Sequence, residues 1–273
     1  MDILNNKNLF DVSNEVVVIT GVSGGLGQEY ARAFIELNAK VVGLDIFEAP
    51  SIKKLSSSNP NNFLFSHTDV TNKLSLDKSL DNAVDVFGKV TVLINNAAID
   101  SPPSAPKEEN GPFEDYPEES WNKIMDVNLK SIFLCSQVFG AKMAEQNHGS
   151  IINISSIYGL VSPDQNLYDY RRKNGDDFYK PIAYSVSKSG ILNLTRYLST
   201  YWAKKMVRVN SLTLGGVFND QDKDFLDAYT SRIPIGRMAK KNEYNGAVIF
   251  LASRASQYMT GSNLIVDGGW TAI

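Results

Sequence analysis

Seven short apolar runs, most of them rich in β-branched residues, recur along the chain, and patterns of helical period separate them. The runs are Val16–Thr20, Lys40–Asp45, Asn62–Ser66, Val90–Ile94, Ser150–Ile154, Val207–Ser211 and Asn263–Val266. Runs apolar on both faces suit strands covered on both sides, as in a parallel sheet. Between the first two, Tyr30, Ala31, Phe34, Ile35 and Leu37 make one apolar stripe of a helix over Gln28–Leu37. A second stripe runs through Trp121, Ile124, Ile132, Cys135, Phe139 and Met143, and Asn128 falls on it. This alternation predicts an α/β protein with a doubly wound, seven-stranded parallel sheet and helices on both faces. No repeat or linker-like break divides the chain, so residues 1–273 read as a single domain. Two segments are loop-rich: Ser101–Pro117, with five prolines, and the polar, aromatic Pro163–Pro181.

Length and charge narrow the function without choosing it. A 273-residue chain, 43% hydrophobic and 21% charged, buries a core without staples. Its formal net charge of -3 sets up no field toward nucleic acid or anionic membrane, and no basic-aromatic array suggests nucleic-acid binding. The one cysteine, Cys135, cannot form an intramolecular disulfide, which fits a reducing compartment. Met1–Phe10 lacks the apolar run of a signal peptide or anchor, and no window approaches the roughly 20 apolar residues of a membrane span. The expectation is a cytoplasmic protein. His67 and His148, the only histidines, sit near no Cys/His cluster, so no metal site is expected. Cys135 reads as core, and Trp270 as either core cover or interface.

The first run leads into Thr20-Gly21-Val22-Ser23-Gly24-Gly25-Leu26-Gly27 and then into the first helical stripe. Glycines there let the backbone turn sharply and approach a pyrophosphate, whose charge the helix N-terminus favours. A plain tight turn would also use them, but the strand before and helix after, and the acid that ends the next strand, favour a dinucleotide. That acid, Asp45, lies 24 residues past Gly21. A carboxylate there accepts from ribose hydroxyls and repels a 2'-phosphate, so it favours NAD over NADP. No basic residue stands in the turn or just after Asp45 to greet such a phosphate.

Tyr184-Ser185-Val186-Ser187-Lys188 opens a long amphipathic segment. Four apart on a helix, Tyr184 and Lys188 share a face. An ammonium beside a phenol stabilises the phenolate, which lets the tyrosine exchange a proton with a carbinol or carbonyl oxygen. In isolation such a pair is more often a chance surface pair. Asn128, polar on an apolar stripe, is either a structural bridge or part of a site.

Taken in order, these motifs resemble a classical short-chain dehydrogenase/reductase over nearly the whole chain. They are Thr20-Gly21-x-x-x-Gly25-x-Gly27, Asp69-Val70, Asn95-Asn96-Ala97-Ala98, Asn128, Ser155-Ser156, Tyr184-x-x-x-Lys188 and Val266-Asp267-Gly268-Gly269. The resemblance implies a Rossmann fold and an NAD-dependent oxidoreductase interconverting a secondary alcohol and a ketone. It implies that Tyr184 is the general acid/base and that Lys188 holds the nicotinamide ribose and lowers the tyrosine's pKa. Ser156, a better match than Ser155, would polarise the substrate oxygen, and Asn128 would hold a water that links the lysine to solvent. The implied cofactor contacts are Gly21, Ser23, Gly25, Leu26, Gly27, Asp45, Asp69, Val70, Asn96, Ala97, Tyr184, Lys188, Gly215 and Val217. A homotetramer or homodimer is implied, built through the helices holding Asn128 and Tyr184, with Ile132, Phe133, Phe139, Leu194, Leu198 and Trp202 serving core and interface.

The chain departs from the family pattern in three places. Ala98 replaces a glycine. Leu214 and Asn219 stand where the family has proline and threonine, at the start of a substrate loop over about 215–240. Ser156 and Tyr184 lie 28 residues apart, wider than is usual, and the extra length falls in the insert at 163–181. The insert is tied at both ends to the active site, where loops close over substrates. Tyr170, Arg171 and Arg172 are its candidates for contact with an anionic sugar, since arginine forks onto phosphate or carboxylate. The alternative is a solvated loop whose cations offset Asp164, Asp169, Asp176 and Asp177. The Asp164–Tyr170 and Leu214–Asn219 segments most resemble the family's members from bacterial surface-glycan and flagellin-modification systems, which implies a sugar, sugar phosphate or nucleotide sugar as substrate. Two other readings stand beside this one: a non-catalytic dinucleotide sensor, and a sugar-nucleotide epimerase or dehydratase.

Overall fold

The computed structural model describes residues 8–100 and 107–273. Most of Met1–Phe10 and the first part of the proline-rich 101–117 stretch lie outside the described residues. Seven parallel strands form one sheet in the order β3-β2-β1-β4-β5-β6-β7. They are β1 (Val16–Thr20), β2 (Lys40–Asp45), β3 (Phe63–His67), β4 (Val92–Asn95), β5 (Gly149–Ser156), β6 (Val207–Leu214) and β7 (Asn263–Val266). All seven fall where the apolar runs predict strands. β5 and β6 extend further, to Ser156 and Leu214, so they carry the chain to the rim where the site lies.

Alternate residues of each central strand feed opposite layers, because strand side chains alternate faces. Val17 and Ile19 of β1, Val92 and Ile94 of β4, and Ile152 and Ile154 of β5 pack with Tyr30 and Phe34 of helix Gly25–Glu36 and with Val248 and Leu251 of helix Asn245–Ala252. Val16, Val18, Leu93 and Ile151 face the other way, toward Leu76 of helix Lys73–Phe87, Cys135 and Phe139, and Leu198 and Trp202 of helix Ile182–Trp202. The doubly wound Rossmann sheet is therefore as expected. Ile132, Phe139, Leu198 and Trp202 are buried in the subunit itself, whereas Phe133, Tyr197 and Tyr201 are exposed.

The long helix over 118–146 is not uniform. Two wider, π-type turns interrupt it, Asp126–Lys130 and Ser136–Gly140. Asn128 sits in the first. Such turns gather at functional sites because they re-aim a side chain without breaking the helix.

A third apolar cluster sits outside the sheet. It joins Leu167, Tyr168 and Phe178 of the insert to Phe225, Tyr229, Ile233 and Met238 of the 215–240 loop, over Ile157 and Tyr158. The insert is thus a small folded unit, with a 3-10 turn at Gln165–Tyr168 and a helix at Asp169–Lys173. Among the described residues, no helix is long and apolar enough to cross a membrane.

Candidate active site

Strand order reverses beside β1, which has β2 on one side and β4 on the other. Ligands of open α/β sheets bind outside the carboxyl ends of the strands at such a point. Two cavities meet there. One, of about 540 Å³, is lined by Gly21, Gly25, Asp45, Asp69, Val70 and Ala97, among others. The other, of about 620 Å³, is lined by Ser156, Tyr184, Lys188, Gly215 and Val217, among others. Leu26, Asn96 and Ala98 line both. The pair makes one trench with two lobes.

The first lobe is held open by a compact hydrogen-bond frame. Thr20 Oγ1 accepts from the backbone N–H of Asn96 and of Ala97, each at 2.9 Å. Asn96 Nδ2 donates to Thr20 O at 3.0 Å, which ties the end of β4 to the glycine turn. The turn closes on itself as Gly24 N donates to Gly21 O at 3.1 Å. Asp45 accepts from Ser23 N at 3.0 Å and from Phe47 N at 3.2 Å. Each carboxylate oxygen accepts more than one bond, so the same group retains capacity for ribose hydroxyls. Ser23 contributes to this frame rather than to the lobe's lining: its Oγ donates to Phe47 O at 2.5 Å. The fold also brings in a cation that the local sequence does not reveal. A Cβ built on Gly25 would lie 3.2 Å from Lys241 Cε and 3.3 Å from its Nζ.

At the second lobe, β5 ends in Ser155-Ser156 and helix Ile182–Trp202 presents Tyr184 and Lys188 one turn apart. Pro181, which has no N–H to leave unpaired, precedes this helix. The two serines divide their work. Ser155 Oγ donates to Lys188 O at 3.0 Å and so anchors the helix, while Ser156 lines the cavity beside Tyr184. Lys188 is buried. Its Nζ donates to Ile154 O at 3.0 Å and stands 5.7 Å from the Tyr184 ring centre.

Burial pushes the Lys188 ammonium down to about 8, and the Asp100 carboxylate partly opposes this. Burial also pushes the Tyr184 phenol up, and Asp100 adds to the rise, while a hydrogen bond with Ser156 lowers it. The protein alone therefore keeps Tyr184 protonated, and the expected fall in its pKa from Lys188 does not emerge from these groups alone.

Asn128 is fully buried and bridges three elements. Its Oδ1 accepts from Ile99 N at 2.8 Å, and its Nδ2 donates to Ile99 O at 2.9 Å and to Ser187 Oγ at 3.2 Å. Ser187 Oγ in turn donates to Tyr184 O at 2.7 Å. The amide thus pins the loop after β4 to the first turn of the Tyr184 helix.

The two arginines expected to clamp an anion have partners within the insert. Arg171 Nε donates to Asp176 Oδ2 at 2.7 Å, and its guanidinium lies 4.1 Å from the Phe178 ring centre. Arg172 pairs with Asp169 and donates to Phe178 O at 2.7 Å and Gln165 O at 2.6 Å. Both guanidiniums brace the insert. Tyr170 OH donates to Asp222 Oδ2 at 2.8 Å, which links insert to substrate loop, and it is Tyr168 that lines the cavity. Charged groups unforeseen from the sequence do line it, Asp100 and Lys180 among them. Neither belongs to a motif: one follows the Asn-Asn-Ala-Ala segment and the other ends the insert.

Where Leu214 and Asn219 depart from the family pattern, the path is now defined. Leu214 remains in β6 and packs in the core. Gly215 N donates to Val266 O at 2.9 Å, Val217 bridges to Ala239, and Asn219 lines the cavity.

A two-lobed trench, an acid at the end of β2 and a Ser-Tyr-Lys group at the second lobe define a dinucleotide-dependent enzyme acting on carbon–oxygen bonds. The family model described as enoyl-(acyl carrier protein) reductase matches residues 21–271. The chain is 31% identical over 268 residues to the NAD-dependent glycerol dehydrogenase of Listeria innocua, covering 96% of each. It is 31% identical over 276 residues to the 2-dehydro-3-deoxy-D-gluconate 5-dehydrogenase of Dickeya dadantii, covering 97% of this chain and 98% of that one. Among solved structures it resembles a gluconate 5-dehydrogenase from Burkholderia cenocepacia in complex with NADP and tartrate. The TM-score is 0.84 at 26% identity, over 97% of this chain and 98% of that one. The chain belongs to the classical short-chain dehydrogenase/reductase family and is a nicotinamide-dependent enzyme acting on alcohol groups.

Proposed function

We propose that the protein is an NAD-preferring dehydrogenase/reductase that interconverts a secondary alcohol and a ketone on a small polyol or sugar-type substrate. The observation that carries this reading is the meeting of Ser156, Tyr184 and Lys188 in a cavity continuous with the Asp45 lobe. The glycine turn and Asp45 suit the pyrophosphate and the adenosine ribose, with Asp69, Val70, Asn96 and Ala97 around the adenosine half. When bound, the nicotinamide supplies the hydride acceptor or donor. Tyr184, protonated at neutral pH, gives its proton to the carbonyl oxygen in the reductive direction and takes the carbinol proton in the oxidative one. Ser156 donates to the same oxygen and holds it in line with the phenol. Lys188, charged below about pH 8, stabilises the phenolate that reduction leaves behind.

Preference for NAD follows from Asp45, which disfavours a 2'-phosphate, and from the exposed apolar Ile46 and Phe47 that follow it. The polyol or sugar class is supported by the relatives' substrates. A role in surface-glycan or flagellin modification is carried only by the resemblance of the 164–170 and 214–219 segments. The insert and the 215–240 loop cover the substrate lobe of a single catalytic domain, and the exposed Phe133, Tyr197 and Tyr201 supply a homo-oligomer interface. The test is a panel of polyols, hydroxy acids and phosphorylated or nucleotide-linked sugars with NAD and NADP, followed at the nicotinamide absorbance. The reading predicts turnover of at least one of them, faster with NAD. Turnover with NADP alone, or of none of them, contradicts it.

A further inference from the structure

The glycine turn contains no basic residue, but the fold brings one to it. Lys241 opens a 3-10 turn, Lys241–Tyr244, that runs into helix Asn245–Ala252. Its part-buried side chain lies over Gly25, the first residue of helix Gly25–Glu36. The Cε stands 3.2 Å and the Nζ 3.3 Å from where a Cβ of Gly25 would be. The backbone behind the lysine is fixed. Tyr244 is buried in the same layer as Tyr30 and Phe34 of that helix, and its OH donates to Gly215 O at 3.1 Å.

Nothing in the protein balances this charge. Among the described residues, the Lys241 ammonium makes no hydrogen bond and no ion pair. The acid nearest in sequence, Glu243, is engaged elsewhere. Its two oxygens accept from Arg237 at 2.6 and 2.7 Å, and one of them also accepts from Lys240 N at 2.7 Å. The helix end beneath the lysine has the same sign. Its first turn holds no acid, and no side chain caps it at Gly24. The first N–H groups of a helix lack intrahelical partners and carry partial positive charge, so a cation there is unfavourable until an anion joins it. Gly25 lines the same lobe as Asp45. The lobe is therefore polarised, with an acid suited to the ribose and an ammonium beside the helix end.

We propose that Lys241 is a further cofactor-binding residue, whose ammonium pairs with the pyrophosphate of the dinucleotide at the glycine turn. The inference rests on the dinucleotide reading above and adds to it the residue that supplies the counter-charge. The pyrophosphate carries negative charge into a place where a helix N-terminus and a lysine converge, and both favour it. Gly25 has no Cβ to stand between them. The turn can then lack a basic residue of its own, because one arrives from the other end of the chain. NAD and NADP share the pyrophosphate, so this contact serves both and leaves the choice between them to Asp45.

Titration calorimetry with NAD tests this in the wild type, Lys241→Met and Lys241→Arg, at about 50 mM and about 1 M salt. Methionine keeps an apolar stem over Gly25 and removes the charge, whereas arginine keeps the charge. At low salt Lys241→Met is expected to bind NAD about tenfold more weakly than wild type, and Lys241→Arg within about threefold of it. At high salt, where charges are screened within about 3 Å, the gap between wild type and Lys241→Met should narrow to about threefold or less. Without cofactor, Lys241→Met should melt no lower than wild type, because an unpaired cation has left a helix N-terminus. A lower melting temperature would contradict the electrostatic argument. Wild-type NAD affinity in Lys241→Met at low salt overturns the proposal. So does a loss that high salt leaves undiminished or that arginine does not restore, since either marks a packing role. A wild type that binds no dinucleotide overturns the cofactor reading itself, whereas NAD binding that is indifferent to Lys241 overturns this inference alone.

Discussion

The glycine turn allows two alanine substitutions with opposite expected consequences. A Cβ on Gly27 would lie 2.3 Å from Gly21 O and 2.8 Å from Val22 Cα. Both are backbone atoms of the turn itself, so about an ångström of separation must come from moving the frame that also holds Asn96 and Asp45. Overpacking of this kind costs about 1–3 kcal/mol. For a chain of this size that is a Tm lower by roughly 2–5 °C. A Cβ on Gly25 meets only the flexible end of Lys241, at 3.2 to 3.4 Å, and the lysine can swing away. Gly25→Ala should therefore keep its Tm within about 2 °C of wild type, yet it places a methyl group on the surface proposed to face the pyrophosphate. Scanning calorimetry gives the two stabilities, and titration calorimetry with NAD gives the affinities. Gly27→Ala should lose both, and Gly25→Ala should lose affinity, about tenfold or more, with stability kept. A Gly25→Ala protein that binds NAD like wild type would refute the placement of the pyrophosphate, and a Gly27→Ala protein with wild-type Tm would refute the packing argument.

Cofactor choice should follow Asp45: Asp45→Ala combined with Ile46→Arg is expected to narrow or reverse the ratio of NAD to NADP dissociation constants, and equal wild-type affinities would contradict the role given to the carboxylate. Stability should rise between pH 8 and 10 through Lys188. Its folded pKa is about 8 against an ordinary 10.5, so in that window the unfolded chain binds more protons than the folded one. The rise is worth about 2 kcal/mol, and in urea titrations Lys188→Met should flatten it; equal slopes in the two proteins would dismiss the buried lysine as its source. Light scattering should find an oligomer that Phe133→Glu with Tyr201→Glu dissociates, and a wild-type monomer at working concentration would count against that face.

Much of this architecture is legible in the sequence because it rests on local pattern. The strands show as apolar runs, the turn and Asp45 lie within or next to them, and the Tyr184/Lys188 pair shows as a four-residue spacing on a helix. What stays hidden is long-range. The π-type turn that carries Asn128 differs from a plain helix by one residue in register, and the apolar stripe around it continues across that shift. Arg171 and Arg172 suit an anion clamp by type, but Asp176 and Asp169, five and three residues away, compete for them at closer quarters. Lys180 and Asp100, 80 positions apart, become a site only when the insert folds back over β4, and Lys241 reaches the glycine turn only through packing. Charged residues at loop ends carry no periodic signal, so nothing in the chain marks them before the fold is known.

Proton transfer by Tyr184 is the central claim, and Tyr184→Phe tests it with one oxygen removed. The variant should bind NAD with nearly wild-type affinity, by fluorescence or calorimetry, while kcat on the best alcohol of the panel falls by about 10² to 10⁴. Wild-type turnover in that variant would mean that another group moves the proton, and the role assigned to Tyr184 would be wrong.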